Sequence, residues 1–154
     1  MDKKKLRAVA GKFATGITVI THQDASGELH GMTANSFVSI SLDPPLVSFA
    51  VQKGNTLANR LTENERIGIS ILEASMKKIS NHFAGQPQEG LSLDWEEKMG
   101  VKILSDGLGW YATQIKEILP AGDHLLYLCE VLDLDCDETK SPLLYFKGYQ
   151  KLTP

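Results

Sequence analysis

Five small hydrogen-bonding side chains, Thr33, Asn35, Ser36, Ser39 and Ser41, fall within the uncharged run GMTANSFVSISL from Gly31 to Leu42. The run reads as a strand, with Ser39 and Ser41 on one face and Thr33 and Asn35 on one face before any bulge. Short hydroxyls and an amide on such a strand let a planar, polar-edged ligand come close to the backbone N–H and C=O groups, as in sites that combine an apolar platform with a few placed polar groups. Beyond the following strand stand Lys53 and Thr56, at what reads as a helix start. Backbone amides and the helix dipole attract phosphate at such a place. The pattern therefore points to a ring lying along the strand and an anion held past its far end. A sheet surface with solvated Ser and Thr is the plainer alternative.

Other chemistries lack their residues. There is no Gly-x-Gly-x-x-Gly turn and no Gly-x-x-x-x-Gly-Lys-Ser/Thr loop, so neither a Rossmann fingerprint nor a P-loop is present. His22, His30, His82 and His124 have no metal-ligand spacing, and no Gly-x-Ser-x-Gly elbow presents a nucleophile, so no metal site is expected. Cys129 and Cys136 lie seven apart in a strand-like segment, on opposite faces and too distant to bridge, and read as free thiols. What remains is a bound ligand that brings its own reactivity, and flavin mononucleotide (FMN) fits the ring-plus-anion arrangement.

The elements that must hold these residues are mostly strands. Residues 3–15 place Leu6, Val9, Ala10, Phe13 and Ala14 on one helical stripe, stopped by Gly16. Ile17–Thr21 reads as a strand, Asp24–Gly27 as a turn, and a hairpin partner begins near Leu29 and continues with a kink or bulge to Pro44-Pro45. Leu46–Val51 suits a buried strand. Asn55–Glu65 reads as a helix turning Leu57, Ala58 and Leu61 inward, and Ile67–Leu72 as a strand. Ser75 is placed to cap a helix with Met76, Ile79 and Phe83, closed near Gly85. Residues 86–107 show weak periodicity and read as irregular. Strands are then expected over Leu108–Leu119, His124–Leu134 and Leu143–Lys151. Six or seven strands without βαβ alternation predict a mainly β fold, an antiparallel barrel with peripheral helices.

Composition sets further bounds. The chain has 154 residues, 42% apolar and 23% charged, which suits one globular domain over 1–154. A net charge of −3 is unlike a nucleic-acid binder, and Lys3-Lys4-Lys5 with Arg7 reads as the solvated face of a helix. No apolar run approaches the ~20 residues of a membrane span, and the N-terminus lacks a secretory h-region, which predicts a cytoplasmic protein. Trp95 and Trp110 are assigned to packing or to an interface between copies.

Five segments, in order, resemble the short-chain flavin reductases of the FMN-binding split-barrel fold: FATGITVIT from Phe13, GMTANSF from Gly31, SISLDPPLV from Ser39, Gly122-Asp123-His124, and PLLYFKG from Pro142. The resemblance spans nearly the whole chain. It implies a six- or seven-stranded antiparallel split barrel and a homodimer that binds FMN or FAD. It also implies hydride transfer from NADH or NADPH, often to supply reduced flavin to a monooxygenase. By position it implies that Thr33, Ala34, Asn35 and Ser36 border the isoalloxazine. Ser39, Ile40 and Ser41 would approach the ribityl-phosphate, with Lys53, Gly54, Asn55 and Thr56 completing the anion site. Phe83, Gly85 and Gln86 would close over the flavin edge. His124 would meet the nicotinamide nucleotide, with Tyr145, Phe146, Lys147 and Gly148 on the same side. Two departures stand out: Lys53-Gly54-Asn55-Thr56 is shorter than the family's usual phosphate loop, and Cys129 stands where family members often have glycine. A tightly flavin-bound electron-transfer protein that does not use NAD(P)H is the alternative within the same fold. Read on its own, Lys53 is a solvated lysine, Asn55 a helix cap, Phe83 a core anchor and His124 a turn residue.

Overall fold

The computed structural model describes residues 1–151, which form two helices and twelve strands. The strands are β1 (Thr15–Gly16), β2 (Thr18–Gln23), β3 (Leu29–Ala34), β4 (Val38–Leu42), β5 (Pro45–Gln52), β6 (Arg66–Ile71), β7 (Trp95–Lys98), β8 (Val101–Leu104), β9 (Gly109–Ala121), β10 (His124–Cys136), β11 (Leu143–Tyr145) and β12 (Tyr149–Lys151). The helices are α1 (Lys3–Ala10) and α2 (Lys77–Phe83).

Seven strands make one antiparallel sheet in the order β3-β2-β6-β9-β10-β5-β4, flanked by a three-stranded sheet, β1-β11-β12, and the β7-β8 hairpin. The large sheet curls until its ends meet, because the short link from β3 to β4 crosses between them and Ser36 on that link bonds to Ala50 of β5. Inside lie Ile20, Phe49, Val51, Ile67, Ile69, Ile115 and Tyr127, with the Phe49 and Tyr127 rings stacked at 5.0 Å. Each such side chain stabilises the fold by about 1.5–3 kcal/mol on removal from water. A second cluster, Ile17, Val19, Leu72, Met76, Leu104 and Leu143, fills the space outside β2, with Ile79 and Phe83 of α2 packed against it. Hence β2 is buried on both faces, although its sequence alternates Thr with branched apolar residues.

Several expectations need correction. The N-terminal helix ends at Ala10, and none of its residues is buried. Its apolar stripe is present, yet none of the described residues covers it. Residues 56–60 form turns rather than a helix, though Leu57, Ala58 and Leu61 are buried as expected. Asn55 still acts as a cap, its side-chain oxygen accepting from the Leu57 amide at 2.8 Å. Helix α2 starts one residue later than Ser75 as a cap implies, with Met76 in the cap position, and the Ser75 hydroxyl and amide bond to Glu73 instead. Within 86–107, Trp95–Lys98 and Val101–Leu104 pair as a hairpin around Met99-Gly100, both at positive φ. The exposed Glu96 and Glu97 hid that strand from a hydrophobic-pattern reading. The last strand is broken into β11 and β12 by a turn over 146–148, where Lys147 and Gly148 have φ of 52° and 104°.

The single kinked strand expected from Leu29 to Pro44-Pro45 is instead broken at 35–37 into β3 and β4, the two ends of the large sheet, and β4 carries a bulge: Ser39 lies opposite Val47 and Ser41 opposite Leu46, so alternation is broken between the two serines. Cys129 and Cys136 are both free, the first buried and the second exposed. Cys129 belongs to the barrel core, where burial pushes its thiol up to about 12 despite an opposing hydrogen bond from Thr113.

Candidate functional site

The barrel leaves two backbone edges facing each other. Strand β3 is an outer strand of the large sheet, paired only with β2. Strand β5 is paired with β4 over Pro45–Ser48 only, so Ala50, Val51 and Gln52 have one uncovered edge. A strand edge offers N–H and C=O groups that need partners. Ser36 satisfies one pair, accepting from the Ala50 amide at 2.9 Å and donating to the Ala50 carbonyl at 3.0 Å. Next to this stitch a cleft of about 690 Å³ opens between the edges.

Strand β3 lines the cleft from Leu29 to Ala34, and Asn35 and Ser36 extend that wall. Ala50–Gln52, Asn55–Leu57 and His124 form the opposite side, and His82–Gly85 at the end of α2 close over it. Two hydrogen bonds fix α2, one to β3 and one to β12. The Thr33 hydroxyl donates to the Ser80 carbonyl at 2.6 Å, and Ser80 shares a 2.8 Å hydrogen bond with the Tyr149 hydroxyl. The Phe83 ring also lies directly over Gly31, where an added methyl group would come within 2.6 Å of its Cε1. Trp95 meets the same ring edge-on at 6.1 Å. Phe83 is thus at once a core anchor and a cleft wall, and Trp95 is its packing support. Trp110 is a packing residue too, partly buried beside Ala112 with the Lys98 ammonium over its ring at 5.5 Å.

A smaller cavity of about 270 Å³ adjoins the cleft and is lined by Ile17, Ser80, Tyr145 and Tyr149, sharing Thr33, Asn35 and Ala84 with it. Of the residues singled out in the sequence, Thr33, Ala34, Asn35, Ser36, Asn55, Thr56, Phe83, Gly85 and His124 lie around the cleft. Tyr145 lies on the smaller cavity. Ser39, Ile40 and Ser41 stand apart on β4, with Ile40 exposed. Gln86 is exposed and ties its amide to the Asn81 carbonyl. Phe146, Lys147 and Gly148 form the β11–β12 turn. Lys53 and Gly54 lie at the end of β5 but outside the cleft lining, and the Lys53 ammonium donates to the Gly122 carbonyl at 2.7 Å. Cys129 is enclosed by the barrel core and does not narrow the cleft. Sequence reading passed over Leu29, His30, Gly31, Met32, Ala50, Gln52 and His82. Gly31 at the head of the polar run was their available signal, since glycine within a strand marks close approach.

The charge around the cleft is organised at its ends. His124 Nδ1 lies 2.7 Å from Asp123 Oδ1, and the hydrogen bond from His124 followed by its charge holds the Asp123 carboxyl below the usual carboxylate range. At the far end His30 Nε2 lies 2.9 Å from Asp24 Oδ2, with Arg60 3.5 Å from the same oxygen. Hydrogen bonds from Ser26 and then His30 hold the Asp24 carboxyl far below its ordinary value.

The donor set suits a flavin: a slot between two main-chain edges, an aromatic wall, and Asn55 and Thr56 at one end. A ring with alternating donors and acceptors can bond main-chain groups on both sides of such a slot. The comparisons agree. Residues 10–153 match the family described as "Flavin reductase like domain", and the chain belongs to that family. It is 37% identical over 145 residues to the "NADH-dependent flavin reductase" of Rhodococcus sp, covering 93% of this chain and 82% of that one. It is 32% identical to the "4-hydroxyphenylacetate 3-monooxygenase, reductase component" of Thermus thermophilus, over 97% of each. The "Probable flavin reductase" of Rhizobium meliloti is 38% identical, and the chain spans 42% of its length. The structure superposes on "Flavin reductase PheA2 in native state" with a TM-score of 0.93 at 37% identity and full coverage of both chains. The fold is the split barrel of the flavin reductases, as the sequence led one to expect.

Gly31→Ala tests the cleft wall. The methyl group must displace Phe83, so FMN affinity should fall about tenfold, or ~1.4 kcal/mol, and Trp95 fluorescence should change even before FMN is added. Unchanged affinity and emission would show that the Phe83 seat has no part in the cleft.

Proposed function

We propose that the protein is an NADH:flavin oxidoreductase that reduces FMN, and FAD by the same route, in the cleft between β3 and β5. The observation that carries this reading is that one cleft collects Thr33–Ser36, Asn55–Thr56, Phe83 and His124, residues far apart in sequence. Thr33, Ala34, Asn35 and Ser36 would hold the flavin ring through main-chain groups, and Asn55 and Thr56 its phosphate. Phe83 and Gly85 would shield its edge from water. When bound, the flavin supplies the hydride-accepting centre.

The protein's own contribution is position and charge. Main-chain donors fixed by the barrel need no reorganisation as negative charge develops, and they would act more strongly once a bound flavin displaces water from the slot. His124, oriented by Asp123, would contact the nicotinamide nucleotide where it enters beside Gln52. Tyr145 on the adjoining cavity is the second candidate for that contact. A flavin-bound electron carrier independent of nicotinamide is less well supported, because a relative of near-full coverage is named as NADH-dependent. The Thermus relative's name, the reductase component of a monooxygenase, supports supply of reduced flavin to an oxygenase partner. NADH is a cytoplasmic reductant, and a cytoplasmic location goes with this reading.

A homodimer completes the proposal. Leu6, Val9 and Phe13 on and after α1 are 57%, 64% and 79% exposed, and Val38, Ile40 and Leu42 on β4 are 50%, 52% and 92% exposed. Apolar surface on two elements without cover in one chain is the mark of an interface. This gives β4 and the stripe on α1 their place: they cover another copy rather than the flavin phosphate.

NADH oxidation by the purified protein should accelerate strongly on adding FMN. His124→Ala should raise KM for NADH about tenfold, a loss of ~1.4 kcal/mol, with little change in FMN affinity. Flavin binding without any NADH-dependent reduction would defeat the assignment. In sedimentation velocity the wild type should run as two chains and Val38→Asp/Ile40→Asp as one; a monomeric wild type at micromolar concentration would contradict the dimer.

A further inference from the structure

We infer that Lys53 is a positioning residue that latches the β9–β10 turn and thereby places His124, rather than a ligand of the flavin phosphate. The inference rests on the reading that His124 meets the nicotinamide nucleotide.

Lys53 grips the turn twice. Its amide donates to the Asp123 carbonyl at 2.9 Å, and its ammonium donates to the neighbouring Gly122 carbonyl at 2.7 Å. Both acceptors immediately precede His124. The residues around Lys53 behave differently: Gln52, Asn55 and Thr56 line the cleft, whereas Lys53 and Gly54 do not. Gly54, at φ 85°, turns the chain so that the Lys53 side chain runs toward Gly122 while Asn55 and Thr56 return to the cleft.

The β9–β10 ladder closes the turn on one side, with His124 opposite Ala121, and Lys53 holds the other. Strands β9 and β10 are the longest in the molecule, 13 residues each. The ladder between β10 and β5 ends at His124 opposite Gln52, so no further strand pairing with β5 holds Gly122 and Asp123. Gly122 has φ of 65° and nothing within 4 Å of the place its Cβ would take, so packing does not fix it either. The Asp123 side chain reaches forward to His124 Nδ1 at 2.7 Å, which leaves Nε2 as the unengaged ring nitrogen. Lys53 holds the backbone under that pair, and Asp123 sets the ring. The shortened Lys53–Thr56 loop fits this division: the lysine serves the turn, while Asn55 and Thr56 stay with the cleft.

The test uses the 154-residue chain carrying Lys53→Met, which keeps the apolar stem and removes the ammonium. FMN and riboflavin affinities, steady-state NADH kinetics and amide exchange at 121–124 would be measured, with His124→Ala and the double variant alongside. The latch predicts a rise in KM for NADH of about three- to tenfold with kcat nearly unchanged, and faster exchange at 121–124. It also predicts an FMN-to-riboflavin affinity ratio equal to that of the wild type, and a double variant no worse than His124→Ala alone. Selective loss of FMN over riboflavin would make Lys53 a phosphate ligand and overturn the inference. So would an unchanged KM for NADH in Lys53→Met when His124→Ala raises it. If His124→Ala leaves KM at the wild-type value, the nicotinamide reading of His124 fails instead. Exchange at 121–124 then decides the latch alone, faster exchange upholding it and unchanged exchange overturning it.

Discussion

An antiparallel sheet that curls on itself must either pair its two ends or leave two rows of main-chain donors and acceptors facing each other. This barrel does both. At Ser36 the ends are joined by two hydrogen bonds to Ala50, and beside that stitch they separate into the cleft. The separation is held open from behind. Thr33 is tied to Ser80, Ser80 to Tyr149, and Phe83 rests on Gly31 with Trp95 against its edge. Unpaired main-chain groups are costly when buried and useful when a ligand supplies their partners. The site therefore arises from the way the barrel fails to close, and the side chains around it set its width, its charge and what enters.

This origin explains why the chain carries no recognisable catalytic dyad. Hydride transfer between two cofactor-like molecules asks the protein for alignment and a fixed field, both of which a rigid sheet supplies through its backbone. The buried core beneath the cleft, Ile20, Phe49, Val51 and Tyr127 among others, gives that rigidity. The titratable groups sit at the cleft's two ends, Asp123 with His124 and Asp24 with His30, where polar parts of long ligands would lie.

The β architecture and the Thr33–Ser36 wall were legible because strand alternation and a glycine-headed polar run are local signals. The buried Leu57, Ala58 and Leu61 were legible too, even though their segment is a series of turns: burial follows apolar identity, whether or not the segment closes into a regular helix. The hairpin of β7 and β8 was not legible, since Glu96 and Glu97 face solvent and remove its apolar alternation. The exposure of α1 could not be read either, because an amphipathic stripe does not say which surface covers it. Lys53 shows the same limit at the site. Its bond to the Gly122 carbonyl, 69 residues away, is one that only the fold brings about.

The most direct measurement is amide hydrogen exchange across the chain with and without FMN. New protection should concentrate on the facing edges, at 33–36 and 50–52, with the strands behind them unchanged. Protection confined to other segments, or none on those two edges at saturating FMN, would contradict the claim that the open seam of the barrel is the flavin site.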